Sequence, residues 1–231
     1  MKAPVALVVF DIAGTTLTDN GEVAIAFQQA LQAFGYTVPL EKINPLMGYE
    51  KGEAIRRMLH EYEELKTRIT PAYIHQIHQQ FLNFMIRHYR EVPHIMPLPG
   101  AEEVFARLKE RGIRRALNTG FSKNITDVIM QRLAWVSEKV DFVISSSEVP
   151  AGRPAPYMIE RLMQQAGVLD ARQVIKVGDT EVDIREGQNA GCLHSIGITT
   201  GAFTRKALEA YEPDFIIDHL TELLPIIDKL V

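Results

Sequence analysis

From Pro97 to the end of the chain, short runs rich in valine and isoleucine alternate with stretches of helical periodicity. That alternation constrains the fold more than any other feature. Ile113 to Asn118, Phe142-Val143-Ile144, Val174 to Val177, Leu193 to Ile198 and Phe215-Ile216-Ile217 read as strands, and a closing helix spans Leu220 to Leu230. Strands separated by helices imply a parallel α/β sheet, because each parallel pair needs a crossover connection and the helices cover the faces. One further strand, Val5 to Phe10, opens the chain and runs into Asp11.

Between that strand and Pro97 the pattern is helical only. Glu22 to Phe34 carries apolar residues at Val23, Phe27, Ala30, Leu31 and Phe34, a short helical piece starts at Glu41, and another helix spans about Glu50 to His60. Thr70 as cap and Pro71 in the first turn open a longer helix reaching about Tyr89. The expected organisation is an α/β core of residues 1–17 and 93–231, with an all-helical cap of residues 18–92 inserted after the first strand. Such an insertion would sit over the carboxyl ends of the strands.

Composition narrows the function classes. A net charge of -4 gives no electrostatic reason to expect nucleic acid or an anionic membrane as partner. Cys192 is the only cysteine, so no intramolecular disulfide forms. No run approaches the roughly 18 apolar residues of a membrane span, and the first ten residues lack the pattern of a secretory signal. These features lead us to expect a cytoplasmic protein.

Four motifs follow strands, so a parallel sheet would gather them at one edge. In Asp11-Ile12-Ala13-Gly14-Thr15-Thr16 the aspartate has backbone and hydroxyl donors beside it, which suits a nucleophile that accepts a phosphoryl group. Thr119-Gly120 can hold phosphoryl oxygens at a helix start, and Arg153 is a permanent cation in a proline-rich loop. Asp179 and Asp183, four residues apart, offer hard oxygens to a cation such as Mg²⁺. Taken singly, each has a plain structural reading: an ordinary turn, a cap, a surface arginine, a helix N-cap.

Taken together, Asp-x-x-Gly-Thr, Thr-Gly, Gly-Arg-Pro and Gly-Asp-Thr-x-x-Asp resemble the haloacid dehalogenase superfamily of phosphotransferases, from Lys2 to Asp19 and from about Pro97 onward. The resemblance implies a Rossmann-like sheet, an aspartyl-phosphate intermediate and Mg²⁺. It makes Asp11 the nucleophile, Thr119 a phosphoryl hydrogen-bond donor and Arg153 a charge clamp. It makes Asp11, Asp179 and the Ala13 carbonyl the metal ligands, and places Ala13, Gly14, Thr15, Gly120 and Asp183 around the substrate's phosphoryl group.

One departure redirects the chemistry. Most phosphatases of that superfamily have an acid two residues after the nucleophile, and here that position is Ala13. Losing a general acid removes roughly 100- to 10,000-fold in rate for a poor leaving group. Asp-x-Ala-Gly-Thr resembles the phosphonatase branch, which cleaves the carbon–phosphorus bond of phosphonoacetaldehyde with help from a cap lysine that forms a Schiff base. Met47-Gly48-Tyr49-Glu50-Lys51 looks like that cap stretch, with Lys51 on the Schiff-base position and Met47 approaching the substrate. The branch's histidine three residues after the lysine is Ala54 here.

The expected substrate is therefore a small phosphonate or phosphate. The other readings are a phosphatase of a small phosphorylated metabolite and a non-catalytic ligand-binding homologue. A homodimer through the cap could use the apolar face of the Ala26 to Phe34 helix, which equally serves as cap core.

Overall fold

The computed structural model describes residues 5–135 and 138–230; Lys2, where the resemblance begins, lies outside them. Strand β1 (Leu7–Phe10) leads into four helices, α1 (Glu22–Gln32), α2 (Leu40–Ile43), α3 (Lys51–Tyr62) and α4 (Pro71–Glu91), and a fifth precedes the second strand. After α5 (Ala101–Glu110), strands and helices alternate as β2 (Arg114–Thr119), α6 (Lys123–Leu133), β3 (Phe142–Ser145), α7 (Tyr157–Ala166), β4 (Val174–Gly178) and α8 (Glu181–Ala190). The chain then continues through β5 (His194–Ile198), α9 (Arg205–Glu209), β6 (Phe215–Ile217) and α10 (Leu223–Asp228).

The strands form one parallel sheet in the order β3-β2-β1-β4-β5-β6. This is the expected α/β, Rossmann-like architecture. In β1, Val9 stands opposite Ala116 on one side and Lys176 on the other. Its side chains alternate between two cores, as the two-residue strand period requires. Leu7 and Val9 pack with Met158, Ile159 and Leu162 of α7, while Val8 and Phe10 join the larger core on the other face. There the Phe10 ring meets Phe105 of α5 edge-on at 5.5 Å. Each such fully buried side chain contributes about 1.5–3 kcal/mol.

Local differences from the sequence reading are small. The opening strand is shorter than its apolar run, the closing helix begins as a 3-10 turn at Leu220–Glu222, and α9 is a five-residue helix too short to show a period.

Among the four helices after β1, α4 is the spine: it packs against α1 and α3, and also against α6 of the sheet layer. The apolar face of α1 is used within the chain, its Phe27 ring meeting Phe81 of α4 at 5.9 Å. At the far end of α4, Arg132 of α6 donates to the carbonyls of Tyr89, Arg90, Val92 and Pro93 at 2.7–3.1 Å. A cation at a helix C-terminus satisfies carbonyls that have no partner within the helix. The segments leading into and out of the four helices run side by side, with Thr18 N–H donating to Met96 O and Leu98 N–H to Thr16 O. Among the described residues no helix is long and apolar enough to cross a membrane.

Candidate active site

Sheet topology assembles the site. Asp11 follows β1, Thr119 ends β2 and Asp179 follows β4, so three neighbouring parallel strands present them at one edge. Arg153 arrives from the loop after β3, and Met47 and Lys51 descend from the helical segment. One cavity is lined by Asp11, Ala13, Met47, Lys51, Thr119, Gly120, Arg153 and Asp179. Its free volume of about 30 Å³ accommodates about two waters.

Asp11 is buried, and Arg153 Nη1 donates to its Oδ1 at 2.6 Å. The same nitrogen also donates to Asp183. Burial raises the Asp11 carboxyl above the usual range, against the pull of Arg153. Asp179 rises further, through burial and the charges of Asp11 and Asp183. Its two oxygens accept from Thr15 Oγ1 at 3.1 Å and Ala202 N–H at 2.8 Å. Burial works against the charged Arg153 too, but Asp183 and Asp11 outweigh it and hold the guanidinium firmly charged. Arg153 Nε is a buried donor without a hydrogen-bond partner among the described residues, the kind of group a phosphoryl oxygen satisfies. Thr119 Oγ1 accepts from Phe121 N–H at 3.2 Å, which leaves its own proton for a ligand.

Lys51 is the first residue of α3. Glu50 caps that helix, its carboxylate accepting from Gly52 N–H and Glu53 N–H at 2.8 Å each. The lysine is 3 % exposed, its Nζ lies 5.8 Å from the Phe121 ring centroid and 6.0 Å from that of Phe81, and its hydrogen bond to Tyr49 O is long at 3.3 Å. Burial, then the Arg153 charge, bring its ammonium down to about 8. A fraction of neutral amine is therefore present near neutrality.

Gly14, Thr15 and Asp183, expected around the phosphoryl group, are not among the residues that line this cavity. Gly14 has φ +85°, and a Cβ there would lie 2.8 Å from Asp179 Oδ2, so this turn excludes any side chain. Asp183 has no free oxygen: Arg153 and Lys176 take Oδ1, and Thr180 N–H and Oγ1 donate to Oδ2. Burial alone would raise its carboxyl, but Arg153 and Lys176 bring it below the usual range. Lys176 also donates to Asn118 Oδ1 at 2.7 Å, and Asn118 Nδ2 donates to both oxygens of Glu186. Burial raises Glu186 to about 7.

Sequence reasoning missed this buried network, although a lysine in the middle of an apolar strand announces that carboxylates wait for it. It also missed Asp19, Val23, Gly48, Phe121, Thr180 and Ala202 on the cavity wall. Gly120 does more than line the cavity: a Cβ there would lie 2.5 Å from Gly48 O and 2.7 Å from Tyr49 O, so it lets the Met47–Lys51 segment seat on the sheet edge.

Comparison with known proteins places this arrangement in a family. A model of the haloacid dehalogenase-like hydrolases matches residues 5–191. A Bacillus cereus protein named phosphonoacetaldehyde hydrolase is 32% identical over 215 residues, covering 89% of this chain and 79% of that protein. Among solved structures, a phosphonoacetaldehyde hydrolase-like protein from Oleispira antarctica superimposes with a TM-score of 0.83 at 23% identity, covering 99% of this chain and 93% of that one. A hydrolase from Pseudomonas syringae gives 0.85 at 18% identity, covering 97% and 98%. The two structural likenesses carry the fold alone. The family model and the B. cereus relative carry more, and on their evidence the chain belongs to the haloacid dehalogenase-like hydrolases.

Proposed function

We propose that this hydrolase cleaves the carbon–phosphorus bond of a phosphonoacetaldehyde-type substrate, with α1–α4 acting as a cap. One observation carries the reading: Lys51, buried and with its ammonium brought down to about 8, shares a cavity with Asp11, while Ala13 occupies the place of a leaving-group acid. The names of the 31–32% identical relatives support it.

In this reading the Lys51 amine condenses with the substrate aldehyde, giving an iminium. Asp11 then attacks phosphorus; as the C–P bond breaks, its electron pair moves through the iminium to nitrogen, and the product leaves as an enamine on Lys51. Arg153 Nε and the Thr119 hydroxyl hold phosphoryl oxygens, and water hydrolyses the aspartyl-phosphate. Ala13 suits this chemistry, because the departing group is a carbon whose charge the iminium absorbs and no nearby oxygen has to be protonated.

Mg²⁺ fits the donor set. Burial raises both Asp11 and Asp179, and the Asp183 charge adds to each, as the Asp11 charge does to Asp179, leaving carboxylate charge for a cation to neutralise. Among the described residues no cluster of three or more His, Cys, Asp or Glu side chains could hold a metal. The family resemblance assigns the ion to the Asp11 and Asp179 carboxylates and the Ala13 carbonyl, all oxygens, which suit a hard cation that keeps its waters. When bound, Mg²⁺ would supply positive charge beside the phosphoryl oxygens.

The second reading, a phosphatase for a small metabolite with a good leaving group, draws on Ala54, a fully buried methyl where the resemblance has a histidine. Phosphate release from phosphonoacetaldehyde, acetyl phosphate and phosphate esters, with wild type beside Lys51→Arg, separates the two. We expect phosphonoacetaldehyde to be turned over and the variant to lose at least about 100-fold. Faster release from acetyl phosphate, indifferent to Lys51→Arg, would favour the phosphatase.

A further inference from the structure

Imine chemistry needs an acid as well as an amine. A carbinolamine loses its hydroxyl as water only if a proton arrives at that oxygen. The cavity offers few donors. Among the described residues no histidine lines it; Arg153 stays charged, Asp11 and Asp179 are committed to phosphorus and cation, and the Thr119 and Thr180 hydroxyls are too weakly acidic.

Asp19 remains. It lines the same cavity, its negative charge is felt at Lys51, and the phosphoryl-transfer groups do not use it. Its Oδ1 accepts from Gly21 N–H at 3.0 Å and Val23 N–H at 3.4 Å, so the start of α1 fixes the carboxyl in place. Burial and the adjoining Glu22 carboxyl raise it to about 6, which leaves it partly protonated near neutrality.

We propose that Asp19 is the general acid that delivers a proton to the departing carbinolamine hydroxyl when Lys51 condenses with the substrate. The inference rests on the imine reading above. In the step, the carbinolamine C–O bond breaks with its pair going to oxygen, the Asp19 proton completes a water molecule, and the nitrogen lone pair forms the C=N bond of the iminium. Asp19 is left as carboxylate, ready to take a proton back when the imine is hydrolysed.

Phosphonoacetaldehyde and borohydride, rapidly mixed with the Mg²⁺-loaded protein, give the rate at which adduct accumulates on Lys51. Asp19→Asn keeps an acceptor oxygen for Gly21 and Val23 but has no proton to give, and it should slow the adduct by about 100-fold or more. The pH profile supplies a readout that a structural role would not move. The groups around Asp19 are Glu22 on α1, Tyr89 on α4, and Lys51 and Asp11 across the cavity. With acid and amine both required, the wild-type rate is level between about pH 6 and 8 and falls on either side. In Asp19→Asn the alkaline fall disappears. A variant within threefold of wild type, or one that keeps the alkaline fall, overturns the role of Asp19 alone. Wild-type protein that yields no Lys51 adduct overturns the imine reading and this one with it.

Discussion

Arg153 Nη1 donates to Asp11 Oδ1 at 2.6 Å, and the same nitrogen is held from behind by Asp183. The Arg153 guanidinium is thus held between two carboxylates, those of Asp11 and Asp183. Removing it by Arg153→Ala leaves two buried carboxylates without their guanidinium, a change that costs about 3–5 kcal/mol for a broken buried pair. Urea denaturation should show a loss of that size. Arg153→Lys should lose less stability but still lose phosphate affinity, since an ammonium cannot replace the fork of donors.

Lys51 should titrate far below ordinary lysines. Burial and Arg153 favour its neutral form, so the reactive amine, half-populated at about pH 8, is lost as pH falls below that value. Reductive methylation of the free protein, followed residue by residue, should reach half its limiting rate at Lys51 near pH 8. Exposed lysines should do so near 10.4. A Lys51 that follows the exposed lysines would contradict the burial seen here.

Seating of the helical segment depends on a missing side chain. Gly120→Ala puts a Cβ 2.5 Å from Gly48 O and 2.7 Å from Tyr49 O, and backbone has no rotamer with which to yield. The Met47–Lys51 segment should be lifted and kcat/KM should fall about 100-fold, with little change in unfolding midpoint because the sheet core is untouched. A fully active variant would show that seating of the segment does not need this clearance.

Arg132 ties the end of α4 to the sheet layer through four carbonyls. Arg132→Ala should raise hydrogen exchange in the last turn of α4 and destabilise the protein by about 1–3 kcal/mol. Unchanged exchange there would contradict the anchoring role of Arg132.

The strand-ending motifs were legible because a parallel sheet brings the ends of its strands to one edge, so Asp11, Thr119, Arg153 and Asp179 could be gathered from order alone. Lys51 was legible only through family likeness, since a lysine beside Glu50 and Glu53 otherwise reads as solvated. What stayed hidden depends on packing between distant segments. Asp183 has a helix-cap spacing that suits several roles, and only the approach of Lys176 and Arg153 shows that it is held in a buried ion-pair network. Asp19 sits in a polar stretch with no periodicity, and only the fold shows it half-buried on the cavity wall.

The central claim is that Lys51 forms a covalent bond to substrate carbon. Mass spectrometry of the Lys51 peptide after incubation with phosphonoacetaldehyde and borohydride tests it directly. The account predicts a reduced two-carbon adduct on Lys51 that is absent in Lys51→Arg. An unmodified Lys51 in protein that still releases phosphate from phosphonoacetaldehyde would contradict it.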